Sequence, residues 1–199
     1  MKLEFLGDAL DHWKGSVLEG SQISNVLDGF RVDAMASDFR DWGHEDWSLY
    51  AKLLRVRKSQ IVVHKGALDR NRKEYFDEIP RSGDLFLDPD TGIMPPSGGD
   101  IRHLKKEELF SIMNYESNRV VAVYQHGCRN MSLKSRLEDV VKMLGLSAPQ
   151  NCYCASYYSS NVNVALLFVS FRRDRIEAVY RYFHKLLGSH TDKRIGLWI

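Results

Sequence analysis

Three short stretches carry side chains with chemistry to offer. Phe86-Leu87-Asp88-Pro89-Asp90 sets two carboxylates around a proline at the end of an apolar run. Gly7-Asp8-Ala9-Leu10-Asp11-His12-Trp13-Lys14 spaces Asp8, Asp11 and Lys14 three residues apart, which puts them along one side of a helix. Tyr124-Gln125-His126 closes a second apolar run with a phenol and an imidazole. Asp88, Asp90 and His126, with Asp8 or Asp11 nearby, can hold Mg²⁺ or Mn²⁺, because carboxylates suit hard cations. Such a site activates water against a phosphodiester, with Arg102, Lys105, Lys106 and Arg129 available for its phosphates. The residues lack a recognisable metal-ligand spacing. The plainer reading of Gly7–Lys14 is a helix cap, Asp8, followed by a solvated Asp11–Lys14 ion pair.

These residues work together only if the chain brings strand ends to one place. Asp84–Leu87, Gln60–His64 and Arg119–Tyr124 read as buried, parallel strands, and Phe30–Ala36 as another. His64 falls at a strand end and is a further candidate for the same crevice. Helices are expected from Asp8, over Trp47–Leu54, Asn71–Glu78, His103–Tyr115 and Ser132–Leu144 with Gly145 as the cap, and over Arg172–Leu187. Leu3–Leu6 is a short strand or lead-in. Thr91–Asp100, rich in Gly and Pro, is a candidate lid or substrate loop. Cys152–Ser159 and Asn163–Ser170 are joined by too few residues for a crossover, so they form an antiparallel hairpin. Lys193–Ile199 is an edge strand. Alternating strands and helices argue a mostly parallel sheet with helices on both faces, in one α/β domain spanning residues 1–199. Ligands of such sheets bind beyond the carboxyl ends of the strands.

Composition narrows the classes. The 199 residues include 44% hydrophobic and 27% charged residues, enough for a core without disulfides or metals. A net charge of +2 gives no overall basic field, so nucleic acid as a partner requires a local patch. Cys128, Cys152 and Cys154 show no zinc or CxxC spacing; Cys152 and Cys154 share a face of their strand. Reduced thiols, no apolar leader at Met1–Gly7 and no run of about 20 apolar residues predict a cytoplasmic chain without a membrane span. The oligomeric state is not encoded in any pattern.

The segment Gly7–Lys14 resembles the Gly-Asn-x-x-Asp-x-x-Lys segment of the bacterial enzymes that methylate adenine N6 in 23S ribosomal RNA, and Phe86–Asp90 resembles their Asp-Pro-Pro-Tyr motif. The chain is also similar to an uncharacterised bacterial and phage group combining GD-x-x-D-x-x-K, FLDPD-x-G and a later YQH. The resemblance implies a Rossmann-like, methyltransferase-type sheet, for which a late antiparallel hairpin is usual, and S-adenosylmethionine as cofactor. By residue, it implies that Gly7, Asp8, Asp11 and Lys14 line the cofactor pocket. It also implies that Asp88 and the backbone at Pro89 accept the hydrogens of an adenine amine flipped from its stack. This chain has Asp90 where the second proline stands and Thr91 where the aromatic stands, leaving Tyr124 as a substitute ring. Val32–Asp38 carries no glycine-rich turn. A third expectation therefore stands beside methyltransferase and metal-dependent nuclease: a non-catalytic module binding a nucleotide or a protein.

Overall fold

The computed structural model describes residues 1–38, 41–64, 68, 71–127, 131–159 and 161–199. Cys128, Arg129 and the turn residue Ser160 lie outside the described residues. In chain order the elements are α1 (Ala9–Ile23), β1 (Arg31–Asp33), α2 (His44–Leu53), α3 (Arg72–Asp77), β2 (Leu85–Leu87), β3 (Gly92–Ile93), β4 (His103–Leu104), α4 (Lys106–Met113), β5 (Val121–His126), α5 (Leu133–Ser147), β6 (Tyr153–Ser159), β7 (Val164–Ser170), α6 (Arg173–Leu187) and β8 (Ile195–Trp198).

Six strands form one mixed sheet in the order β1-β2-β5-β7-β6-β8. β1, β2 and β5 are parallel neighbours; β7 and β6 follow antiparallel, and β8 pairs antiparallel with β6 at the edge. Four of the six strands, β1, β2, β5 and β6, therefore run one way and β7 and β8 the other, a mixed sheet that contains the expected antiparallel hairpin. A strand returning through a turn of a few residues must run backward, and the hairpin carries that reversal into the middle of the sheet.

Alternation along the strands sorts side chains into two cores. Ala122, Leu166 and Phe168 face one side and pack with Leu18 of α1, Tyr50 of α2, and Ile176, Val179 and Phe183 of α6. Val121, Val123, Leu167 and Val169 face the other and pack with Phe76 of α3, Leu109 of α4, and Leu137 and Val140 of α5. Helices thus cover both faces, as expected. Cys154 is buried in the second core, with Cys152 packed against it.

Several local expectations need correction. Leu3–Phe5 is a 3-10 turn rather than a strand. Among the described residues, the Gln60–His64 run makes one parallel bridge, Ile61 to Val32. His103 and Leu104 are a strand paired in parallel with Gly92–Ile93, so α4 starts later than the periodicity suggests and the Gly/Pro loop is stapled at its base. Gly145 does not stop α5, which runs on to Ser147; the buried Leu144 keeps the last turn anchored to the core. Among the described residues, no helix is long and apolar enough to cross a membrane.

Candidate functional site

The chain leaves β1 toward the Ile61 bridge on one side and then crosses to β2 on the other. This makes the carboxyl ends of β1 and β2 a switch point, where open α/β sheets place their ligands. A cavity of about 710 Å³ lies beside it, at the carboxyl ends of β2 and β5. It is lined by Asp8, Asp11 and Lys14 from α1, by Asp88, Pro89 and Asp90 after β2, and by Tyr124 and His126 of β5. Three stretches far apart in sequence thus meet in one place.

The α1 end is organised by its cap. Asp8 accepts the amides of Leu10 at 2.8 Å and Asp11 at 3.1 Å, satisfying two of the first-turn donors. Gly7, at φ 95°, donates its amide to Asp11 Oδ2 at 2.9 Å. Asp11 and Lys14 are not a solvated pair. Lys14 is 4% exposed, and its ammonium donates to Asp11 Oδ1 at 3.0 Å and to Asp88 Oδ2 at 2.9 Å. Burial opposes that charge, but the carboxylates of Asp88 and Asp11 outweigh it and hold the Lys14 pKa above its ordinary value. The ammonium also sits 4.2 Å from the centre of the Tyr124 ring, in a cation–π contact.

Asp88 is 1% exposed. Besides Lys14, its Oδ2 receives the Tyr50 hydroxyl at 2.9 Å. Burial first, then Asp88, pushes the Tyr50 phenol pKa up, so it stays a donor. Tyr50 belongs to an aromatic cluster with Trp42 and Trp47, whose rings lie 4.5 Å apart. Periodicity marks Tyr50 only as a packing residue of α2, and nothing in the sequence links it to Asp88.

Tyr124 is 3% exposed, and its hydroxyl finds no hydrogen-bond partner among the described residues. Burial and the surrounding carboxylates raise its pKa, so the group is a neutral O–H on the cavity wall. His126 meets the Tyr124 ring edge-on at 4.8 Å. Burial first, then Lys14, lowers the His126 pKa. Gln125, between them, points to the other face, as strand alternation requires. Its amide accepts from Ile93 N at 2.8 Å and donates to Thr91 O at 3.3 Å. Gly92, at φ 94°, leaves no room for a Cβ, which would fall 2.4 Å from that amide. The candidate lid is therefore fastened at its first residues; Thr91 and Arg102 line the cavity.

The loop after β1 adds a feature that no motif announced. The amino group of Met1 donates to Ala34 O at 3.0 Å, Met35 O at 2.9 Å and Asp88 O at 3.1 Å. It is also paired with Asp90 Oδ1 at 2.9 Å. Asp90 Oδ2 accepts the Ser37 hydroxyl at 2.7 Å. Three carbonyls and a carboxylate thus form a socket shaped for a primary ammonium.

His64 lies elsewhere, against Asp33, and does not line the cavity. Among the described residues, no group of three His, Cys, Asp or Glu side chains is arranged to hold a metal ion. Searches of the sequence against protein-family models and against curated proteins found no match.

Proposed function

We propose that this protein is an S-adenosylmethionine-dependent, methyltransferase-like protein with a Rossmann-like sheet, acting on an exocyclic amine of a nucleic-acid base such as adenine N6. The observation that carries the reading is the convergence of Asp8, Asp11 and Lys14 with Asp88–Asp90, Tyr124 and His126 on one cavity at the carboxyl ends of β2 and β5. The late hairpin, with β7 set antiparallel between β5 and β6, supports the methyltransferase-type assignment of the sheet.

The residues present fit the cofactor. Its methionyl part carries a primary ammonium, and the Met1 ammonium stands in for that group in the socket of Ala34, Met35, Asp88 and Asp90. The unpartnered Tyr124 hydroxyl offers a further polar contact on the cavity wall. When bound, the cofactor supplies an electrophilic methyl group. Asp88 accepts from the substrate amine; a carboxylate has about four lone-pair sites, so Lys14 and Tyr50 on Oδ2 do not exhaust it. Lys14 and Tyr50 fix the orientation of that carboxylate, and their burial keeps water from competing. Neutral His126 is the nearby group able to take a proton, since burial and Lys14 both favour its uncharged form.

The test is thermal unfolding with S-adenosylmethionine, S-adenosylhomocysteine, Mg²⁺ or Mn²⁺ added singly. A ligand of the folded state at a hundredfold excess over its Kd stabilises by about 2.7 kcal/mol. A shift with the adenosyl compounds supports the reading; a shift with metal alone overturns it in favour of a phosphodiesterase. The metal reading has less behind it, because the Lys14 ammonium already takes one oxygen each of Asp11 and Asp88. One observation favours the non-catalytic module: the Met1 ammonium sits in the socket a ligand would need. That reading expects binding of an adenosyl compound or another nucleotide with no methyl transfer.

A further inference from the structure

A buried polar cluster that the cavity does not use is built on Asp33, at the carboxyl end of β1. Tyr75 of α3 donates its hydroxyl to Asp33 Oδ1 at 2.6 Å. His64 Nε2 lies 3.0 Å from Asp33 Oδ2, and the imidazole stacks on the Tyr75 ring with centroids 3.5 Å apart and planes 15° from parallel. Glu78 Oε2 approaches the far side of the imidazole at 3.4 Å from Nδ1. A phenol, an imidazole and a carboxylate thus interlock with almost no exposure.

Asp33 turns this rigidity toward the cavity. Its Oδ1 accepts the Met35 amide at 2.8 Å, and its carbonyl accepts the Asp88 amide at 2.9 Å. Met35 has φ 44°, in the left-handed region that a methionine seldom adopts. Backbone of this kind persists only where its surroundings over-determine it. The carbonyls of Ala34 and Met35, on either side of that turn, are two of the three in the ammonium socket. None of Asp33, His64 and Tyr75 lines the cavity.

We propose that Tyr75 and His64 are positioning residues that act through Asp33: they hold the left-handed turn at Met35, and so shape the carbonyl socket, filled by the Met1 ammonium in this structure, in which a ligand's primary ammonium takes the place of Met1. The proposal rests on the reading of the cavity as an adenosyl-ligand site. Charge-assisted hydrogen bonds to a buried carboxylate are short and directional. Fixing Asp33 from behind therefore fixes the amide it holds in front. No contact between Tyr75 or His64 and the ligand is needed.

The experiment compares two losses of one buried hydroxyl bond. Tyr75→Phe removes the bond to Asp33. Ser170→Ala removes the 2.8 Å bond from Ser170 to the Arg119 carbonyl, at the opposite end of the strands. Both variants should melt earlier than the wild type. Only Tyr75→Phe should weaken S-adenosylhomocysteine in titration calorimetry, by about tenfold, the loss of about 1.4 kcal/mol. Equal affinity in all three proteins, or equal weakening in both variants, overturns the proposal. If the wild type binds no adenosyl compound, the functional reading falls, and amide exchange decides this one separately. The Met35 amide must then exchange faster in Tyr75→Phe than in Ser170→Ala at matched global stability, and unchanged protection overturns it. Should Tyr75→Phe fail to fold, His64→Gln takes its place in both arms.

Discussion

β2 has a buried aspartate at each end, and the two are used differently. At the amino end, Asp84 accepts the amides of Val120 at 2.7 Å and Asp28 at 2.6 Å, and pairs with Arg175 at 2.6 Å. Beside it, the buried Arg119 donates to the carbonyls of Gly83, Ile112 and Pro80. Each of these charged groups is met by fixed protein partners, and the cluster clamps strand starts together. At the carboxyl end, Asp88 is held as firmly by Lys14 and Tyr50, but it faces a cavity and shares it with an unpartnered hydroxyl. Burial of a charge therefore does not separate scaffold from site. The separating feature is polar capacity left over, next to space.

Truncating either aspartate should give the largest effect. Asp84→Ala strands Arg175 and two amides; Asp88→Ala strands Tyr50 and half of the Lys14 partnership. Breaking a buried pair from one side costs about 3–5 kcal/mol, readable by urea unfolding of both variants. The Asn variants separate the two ends. On the proposed function, Asp84→Asn should keep methyl transfer from labelled S-adenosylmethionine to nucleic acid, and Asp88→Asn should lose it; loss in both would erase the contrast.

Gly92→Ala comes next. A left-handed φ and a Cβ 2.4 Å from the Gln125 amide predict a loss of about 1–3 kcal/mol by overpacking, measured as a lower melting temperature. The two tyrosines of the cavity should then diverge. Tyr50→Phe removes a hydrogen bond to a carboxylate and should cost about 1.5–3 kcal/mol. Tyr124→Phe removes a buried hydroxyl with no partner among the described residues, so the free protein should be as stable or more so, while on the proposed function adenosyl-ligand affinity should fall. A destabilised Tyr124→Phe would mean that its hydroxyl is already satisfied.

The smallest effect is on pH dependence. The folded-state pKa of His126 lies below the ordinary 6.5. Between the two values the unfolded chain binds more protons, so stability is full above about 6.5 and declines as pH falls toward the folded value. His126→Gln should flatten that part of a stability–pH curve obtained by denaturant titration at stepped pH.

The comparison also explains what was legible. Asp88, Tyr124 and His126 were readable as cavity residues because apolar runs mark strands and ligands gather at strand carboxyl ends. Asp8 was readable as a cap from its place before an apolar stripe. The burial of Lys14 was not, since an i,i+3 pair looks the same whether solvated or covered by another strand's carboxylate. Tyr50 and Tyr75 look like packing residues because their hydroxyl partners are distant in sequence. The β-branched run that places His64 at a strand end makes, among the described residues, a single bridge, at Ile61. The antiparallel hairpin of β6 and β7 is legible because its connection is too short for a crossover.

The mixed pairing also sets the order in which the chain acquires its shape. The β6–β7 hairpin joins Tyr153 to Ser170 through one turn, while β1 must find β2 across the whole interval from Arg31 to Leu85. Closing a long loop costs entropy before any contact rewards it. The hairpin and the α6 helix packed on it therefore offer an early nucleus. The parallel strands that shape the cavity condense on it late, so damage to the cavity should speed unfolding more than it slows folding.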